Sequence, residues 1–111
     1  MAYNIIMELI ETPVFTAFIT KLMSDDEYKD MQQALIRCPV AGDIVKGSGG
    51  LRKLRWAASG RGKRGGSRVI YYWYKDTETI YMLYAYVKNR QEDITRDQLK
   101  MLSKLVEEEL K

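Results

Sequence analysis

Ser67-Arg68-Val69-Ile70-Tyr71-Tyr72-Trp73-Tyr74-Lys75-Asp76-Thr77-Glu78-Thr79-Ile80-Tyr81-Met82-Leu83-Tyr84-Ala85-Tyr86-Val87 decides the fold. Residues 67–74 and 80–87 are two runs dense in β-branched and aromatic side chains, the composition of strands. The five residues between them are few enough for an antiparallel hairpin. Upstream, residues 51–57 add a third strand candidate, with Lys53 and Arg55 alternating against Leu54 and Trp56. That period of two describes a sheet with one core face and one cationic face.

Helices flank this sheet on the sequence. Thr12-Pro13 supplies an N-cap and an N1 proline for a helix reaching Leu22. Ser24 to Glu27 forms a capping box, stapled by Met23 and Tyr28, for a second helix over residues 25–37 with Tyr28, Met31, Leu35 and Cys38 on its buried stripe. Thr95 to Gln98 is another capping box, stapled by Ile94 and Leu99, which opens a last helix with Leu99, Leu102, Leu105 or Val106, and Leu110 inward. Residues 3–10 read as a strand and residues 40–50, with four glycines, as a loop. The expected order is β-α-α-β-β-β-α over residues 1–111, a single α+β domain with a largely antiparallel sheet and helices packed on one face.

Charge narrows the function. Residues 44–75 hold nine of the 18 Lys and Arg residues and none of the 15 Asp and Glu, so a +9 segment sits in a −6 background. Clustered cations repel one another, and a polyanion such as a phosphate backbone relieves that repulsion with release of counterions. No histidine and one cysteine exclude a zinc site, a Ser-His-Asp triad and a two-histidine ribonuclease, leaving Lys, Arg, Tyr, Asp and Glu for any acid-base chemistry. Cys38 is expected to be a core thiol. No apolar run approaches a membrane span and the N-terminus lacks a leader pattern, so a cytoplasmic protein without membrane contact is expected.

If the strands are neighbours, Lys53, Arg55, Arg68, Tyr84, Tyr86 and Lys88 converge on one solvent-facing surface, and Tyr72 shares the face of Arg68. Tyrosine rings among cations suit unpaired bases and their phosphates. The segment Gly60 to Gly65 fits G-x-G-x-x-G only formally, because a strand follows it and Arg61, Lys63 and Arg64 fill it. It reads better as a hairpin tip whose glycines let the backbone close on phosphate while the three cations supply charge.

The series Gly49-Gly50-Leu51-Arg52-Lys53-Leu54-Arg55, Gly62-Lys63-Arg64-Gly65-Gly66-Ser67-Arg68-Val69-Ile70-Tyr71-Tyr72 and Tyr86-Val87-Lys88-Asn89 closely resembles the HigB branch of the RelE/HigB toxin superfamily. The resemblance spans essentially the whole chain and implies the same β-α-α-β-β-β-α topology. It also implies a type II toxin that cleaves mRNA in the ribosomal A site. The implied partners are a HigA-type helix-turn-helix antitoxin, the ribosome and mRNA, with operator DNA reached only through the antitoxin. Lys53 and Arg55 match the family's basic pair, and Arg68 matches the arginine opening the next strand. Lys88 and Asn89 fall where RelE proper has lysine then arginine, and no tyrosine follows Tyr86 as one does in RelE.

The implied chemistry is attack of the ribose 2′-OH on the adjacent phosphate, with no metal and no cofactor. Lys53 is the candidate base, since flanking cations favour its neutral form. Arg68 and Arg64 are the phosphate clamp, Arg55 a further cation and Lys88 the acid. Arg61, Lys63, Tyr72, Tyr84, Tyr86, Asn89 and Arg90 are candidate RNA contacts. A non-catalytic RNA-binding module and a DNA-binding regulator stay open as alternatives, although no helix-turn-helix is evident and the charge lies on strands and loops.

Overall fold

A computed structural model describes residues 7–57, 66–87 and 94–109. Its elements are β1 (Glu8–Glu11), α1 (Pro13–Leu22), α2 (Asp25–Arg37), β2 (Asp43–Ile44), β3 (Arg52–Trp56), β4 (Ser67–Tyr74), a 3-10 turn (Lys75–Thr77), β5 (Thr79–Val87) and α3 (Arg96–Glu109). The five strands form one sheet in the order β1-β5-β4-β3-β2, antiparallel throughout except for β1, which lies parallel to β5. This is the expected α+β architecture, with a two-residue β2 inside the stretch read as a loop. The start of the first strand candidate, residues 3–6, lies outside the described residues.

The helix caps behave as their chemistry dictates. Thr12 Oγ1 accepts the Phe15 N–H at 3.0 Å and donates to the Leu83 carbonyl at 2.9 Å, so one side chain both starts α1 and ties it to β5. Leu83 has that carbonyl to offer because it is the extra residue of a β-bulge. The register steps from Ile70 opposite Tyr84 to Tyr71 opposite Met82 and skips it. Ser24 Oγ accepts the Glu27 N–H at 3.2 Å. Thr95 and Gln98 exchange both bonds of the capping box, at 3.0 and 3.1 Å.

Alternation along β4 gives the sheet two apolar faces. Val69 and Tyr71 join Phe15 and Ile19 of α1, Met31 and Leu35 of α2, and Met82 of β5 in one core. Ile70 points the other way and joins Leu51, Leu83, Tyr86 and Val106 of α3 in a second. The helices therefore do not share one face: α1 and α2 cover one side of the sheet and α3 the other. The reason is arithmetic, because three amphipathic helices need two apolar faces, and the strands supply them by being buried on both sides. Val106 is the residue of α3 that turns fully inward while Leu105 stays 37% exposed. Leu110 lies outside the described residues.

Cys38 corrects a second expectation: it is exposed. The helical phase that would bury it ends at Arg37, and Cys38, as the C-cap, has left helical geometry with φ −143° and ψ 85°. The segment that follows is clamped by Tyr71, whose hydroxyl donates to Pro39 O at 2.6 Å and accepts from Gly42 N at 2.9 Å. Gly42 is obligatory for space, since a Cβ there would lie 2.8 Å from Tyr71 Cε1 and 3.0 Å from the Lys53 backbone.

Candidate nucleic-acid interface

The strand registers assemble the candidate site row by row. Arg55 lies opposite Arg68, and Arg68 opposite Tyr86. Lys53 lies opposite Ile70, and Ile70 opposite Tyr84. Directly opposed antiparallel residues have Cβ atoms about 4.5–5.5 Å apart on the same face, so Lys53, Arg55, Arg68, Tyr84 and Tyr86 share one side of the sheet. Tyr72, two residues beyond Ile70, lies on that side opposite Tyr81.

The surface they form is not the open face that the alternation suggested. α3 packs over its middle, so Tyr86 is 5% exposed, Arg68 7%, and Tyr84, Tyr72 and Lys53 are half-buried, while Arg55 is exposed. The result is a cationic margin beside α3. Arg68 is its unusual member. Its guanidinium reaches the carbonyls of Gly66 and Ser67, both at a long 3.4 Å, and no carboxylate among the described residues pairs with it. A buried charge so placed, directly across from a second arginine, is costly until an anion joins it.

The other candidates divide. Tyr84 is held as scaffold as well as surface: its hydroxyl accepts from Gln98 Nε2 at 3.2 Å, its ring meets Phe18 edge-on at 5.6 Å, and it lies 5.9 Å from the Tyr86 ring. Tyr72 packs edge-on against Tyr74 at 6.3 Å, toward the opposite end of β4 from Arg68. Arg61, Lys63, Arg64, Lys88, Asn89 and Arg90 lie outside the described residues. Arg52 belongs to the basic segment but not to the site, because its alternation sends it to the other face, where it donates to Gly42 O at 2.8 Å and holds the β2 approach.

The support for β3 was missed by sequence reasoning. Ser48 is 3% exposed; its Oγ donates to Val45 O at 2.5 Å and accepts from Leu51 N at 3.0 Å, which closes the turn that launches the Lys53–Arg55 strand. Gly50 in that turn has φ +111°, a conformation that favours glycine, and a Cβ there would press on Tyr72 at 3.3 Å. From α3, Ser103 Oγ donates to Ser48 O at 2.8 Å, so the helix that covers the face also braces the strand that carries its cations. Two serines 55 positions apart leave no sequence signal for such a contact.

A family profile described as "RelE toxin of RelE / RelB toxin-antitoxin system" matches residues 12–111. The chain belongs to the RelE toxin family. The fold agrees with solved RelE structures. A double arginine-to-alanine mutant of the Escherichia coli toxin RelE in the free state superposes with a TM-score of 0.57 at 12% identity, over 78% of this chain and 87% of that one. The intact E. coli RelBE toxin–antitoxin complex gives 0.57 at 14% identity, over 72% of this chain and 94% of that one. Toxins of the RelE family are in general endoribonucleases that cleave mRNA. Among the described residues no helix is long and apolar enough to cross a membrane.

Proposed function

We propose that this RelE-family toxin is of the HigB type: a cytoplasmic, ribosome-dependent endoribonuclease that cuts mRNA in the A site and is neutralised by a HigA-type helix-turn-helix antitoxin. The observation that carries the reading is the buried guanidinium of Arg68, without a carboxylate among the described residues and opposed by Arg55, on a face that also bears Lys53. Such a constellation is built for a doubly esterified phosphate, whose charge grows as the 2′-oxygen attacks.

In this reading Lys53 removes the 2′ proton, the oxygen attacks phosphorus, the 5′-oxygen leaves, and the products are a 2′,3′-cyclic phosphate and a 5′-OH. Arg68 and Arg64 hold the non-bridging oxygens, bidentately where the guanidinium fork allows, and Arg55 adds charge. Lys88 protonates the leaving oxygen. Without an imidazole, proton transfer depends on alignment, and the ribosome supplies it by fixing the A-site codon.

The chemistry is tested by the ends of the product. RNA cut in a purified translation reaction should carry a 5′-OH and a 2′,3′-cyclic phosphate, so the downstream fragment ligates only after kinase treatment. Downstream fragments that ligate directly would carry a 5′-phosphate and would require a different nucleophile.

A further inference from the structure

Beside the cationic margin, α1 and α3 leave an apolar groove between them, floored by Leu83 and Tyr84 of β5, with a volume of about 330 Å³. Its walls expose side chains that a solvated surface has no reason to carry. Val14 of α1 is 51% exposed, and on α3 Met101 is 72% and Leu105 37% exposed, while Phe18, one turn beyond Val14 and 41% exposed, borders the groove through its edge-on contact with Tyr84. The polar groups at the groove are already engaged: Thr12 with Phe15 N and Leu83 O, Gln98 with Thr95 and Tyr84. Nothing there suits a nucleic acid, and apolar side chains of a protein fit it.

Charge indicates which protein. Tyr84, on the floor of the groove, stacks toward Tyr86, and Tyr86 lies opposite Arg68. Two residues along a strand and one strand across amount to roughly 8–9 Å between backbones, less than two turns of helix. The apolar groove thus runs toward Arg68, which Arg55 opposes, on the face that also bears Lys53. A partner that fills the groove and crosses to these cations must be apolar on one side and acidic at one end.

We propose that this groove docks an amphipathic, acidic segment of the antitoxin, its apolar side chains between α1 and α3 and its carboxylates over Arg68 and Lys53. The proposal rests on the reading of the chain as a toxin with a proteic antitoxin and names the surface used. It gives neutralisation a physical form, because carboxylates at the cations occupy the place of the RNA phosphate.

The test uses the small protein encoded beside the toxin gene as probe, titrated calorimetrically into wild type, Val14→Glu and Met101→Glu. Each variant charges one wall at an exposed position, outside the residues assigned to RNA, so cleavage by the free toxin should not change. Binding should weaken about 20-fold or more in each variant, and about 10-fold in wild type as salt rises from roughly 50 to 300 mM. Amide exchange on the wild-type complex should slow about tenfold or more at Phe18, Met101 and Leu105, a reading independent of any mutation. Binding within about twofold of wild type in both variants, insensitivity to salt, no added protection on α1 and α3, or no binding at all each overturns the proposal. Cleavage is scored separately: a wild type that never cuts RNA, yet binds through the groove, contradicts the nuclease reading alone.

Discussion

Arg55 and Arg68 stand directly opposite each other on β3 and β4, and the buried one of the pair meets no carboxylate among the described residues. Folding such a pair costs stability that binding an anion returns. Arg68→Met should therefore raise stability to urea by about 1 kcal/mol while lowering cleavage about 10²–10³-fold. A variant that is both inactive and destabilised by more than about 2 kcal/mol would mark Arg68 as a structural cation instead.

Tyr84 separates scaffold from chemistry. Its hydroxyl is committed to Gln98 and its ring lies between Phe18 and Tyr86. Tyr84→Phe should cost about 0.5–1.5 kcal/mol in thermal or chemical denaturation and leave the cleavage rate within about twofold. A large loss of rate with an unchanged melting temperature would return the hydroxyl to the reaction.

Gly42 should tolerate no side chain. Its missing Cβ would collide with Tyr71 and the Lys53 backbone, both fixed by neighbouring contacts. Gly42→Ala should cost about 1–3 kcal/mol and displace the strand that carries Lys53, so activity should fall with stability. Unaltered urea midpoints would mean that the turn after α2 yields easily.

Alkaline pH should unfold the protein through two tyrosines. Burial, with the Glu11 carboxylate beside it, pushes the Tyr28 hydroxyl well above its ordinary value of 10.0. Burial likewise raises Tyr71, against the opposing pull of Gly42 N–H and Arg52. Both phenols stay neutral in the fold at a pH that ionises them in the unfolded chain. Their contribution is complete below about pH 10 and is lost as pH climbs from there toward the folded values. Denaturation followed from pH 8 to 11 should show that decline, and Tyr28→Phe should flatten it; an equal slope in the variant would remove Tyr28 from the account.

What was legible in the chain is what local chemistry determines. Thr12-Pro13, Ser24-x-x-Glu27 and Thr95-x-x-Gln98 place the helix starts because capping uses residues three apart. The period of two in β3 and β4 puts Lys53, Arg55 and Arg68 on one side because strand geometry leaves no alternative. The rest depended on non-local packing. The bulge at Leu83 brings Tyr81 and Tyr84 to one face at a spacing of three, which alternation forbids. The position of α3 follows from a second apolar face that becomes visible only once Ile70, Leu83 and Leu51 are neighbours. Cys38 fell out of helical phase by one residue, because the chain leaves the helix after Arg37 and the C-cap no longer follows its period.

The central claim is that the cations beside α3 cut mRNA on the ribosome. Mapping mRNA 5′ ends by primer extension in a purified translation system, with and without ribosomes, tests it most directly. Wild type should give discrete cuts within codons only when ribosomes are present, and Arg68→Ala should lose them. Cuts on free RNA at the same rate, or cuts that persist in Arg68→Ala, would contradict the account.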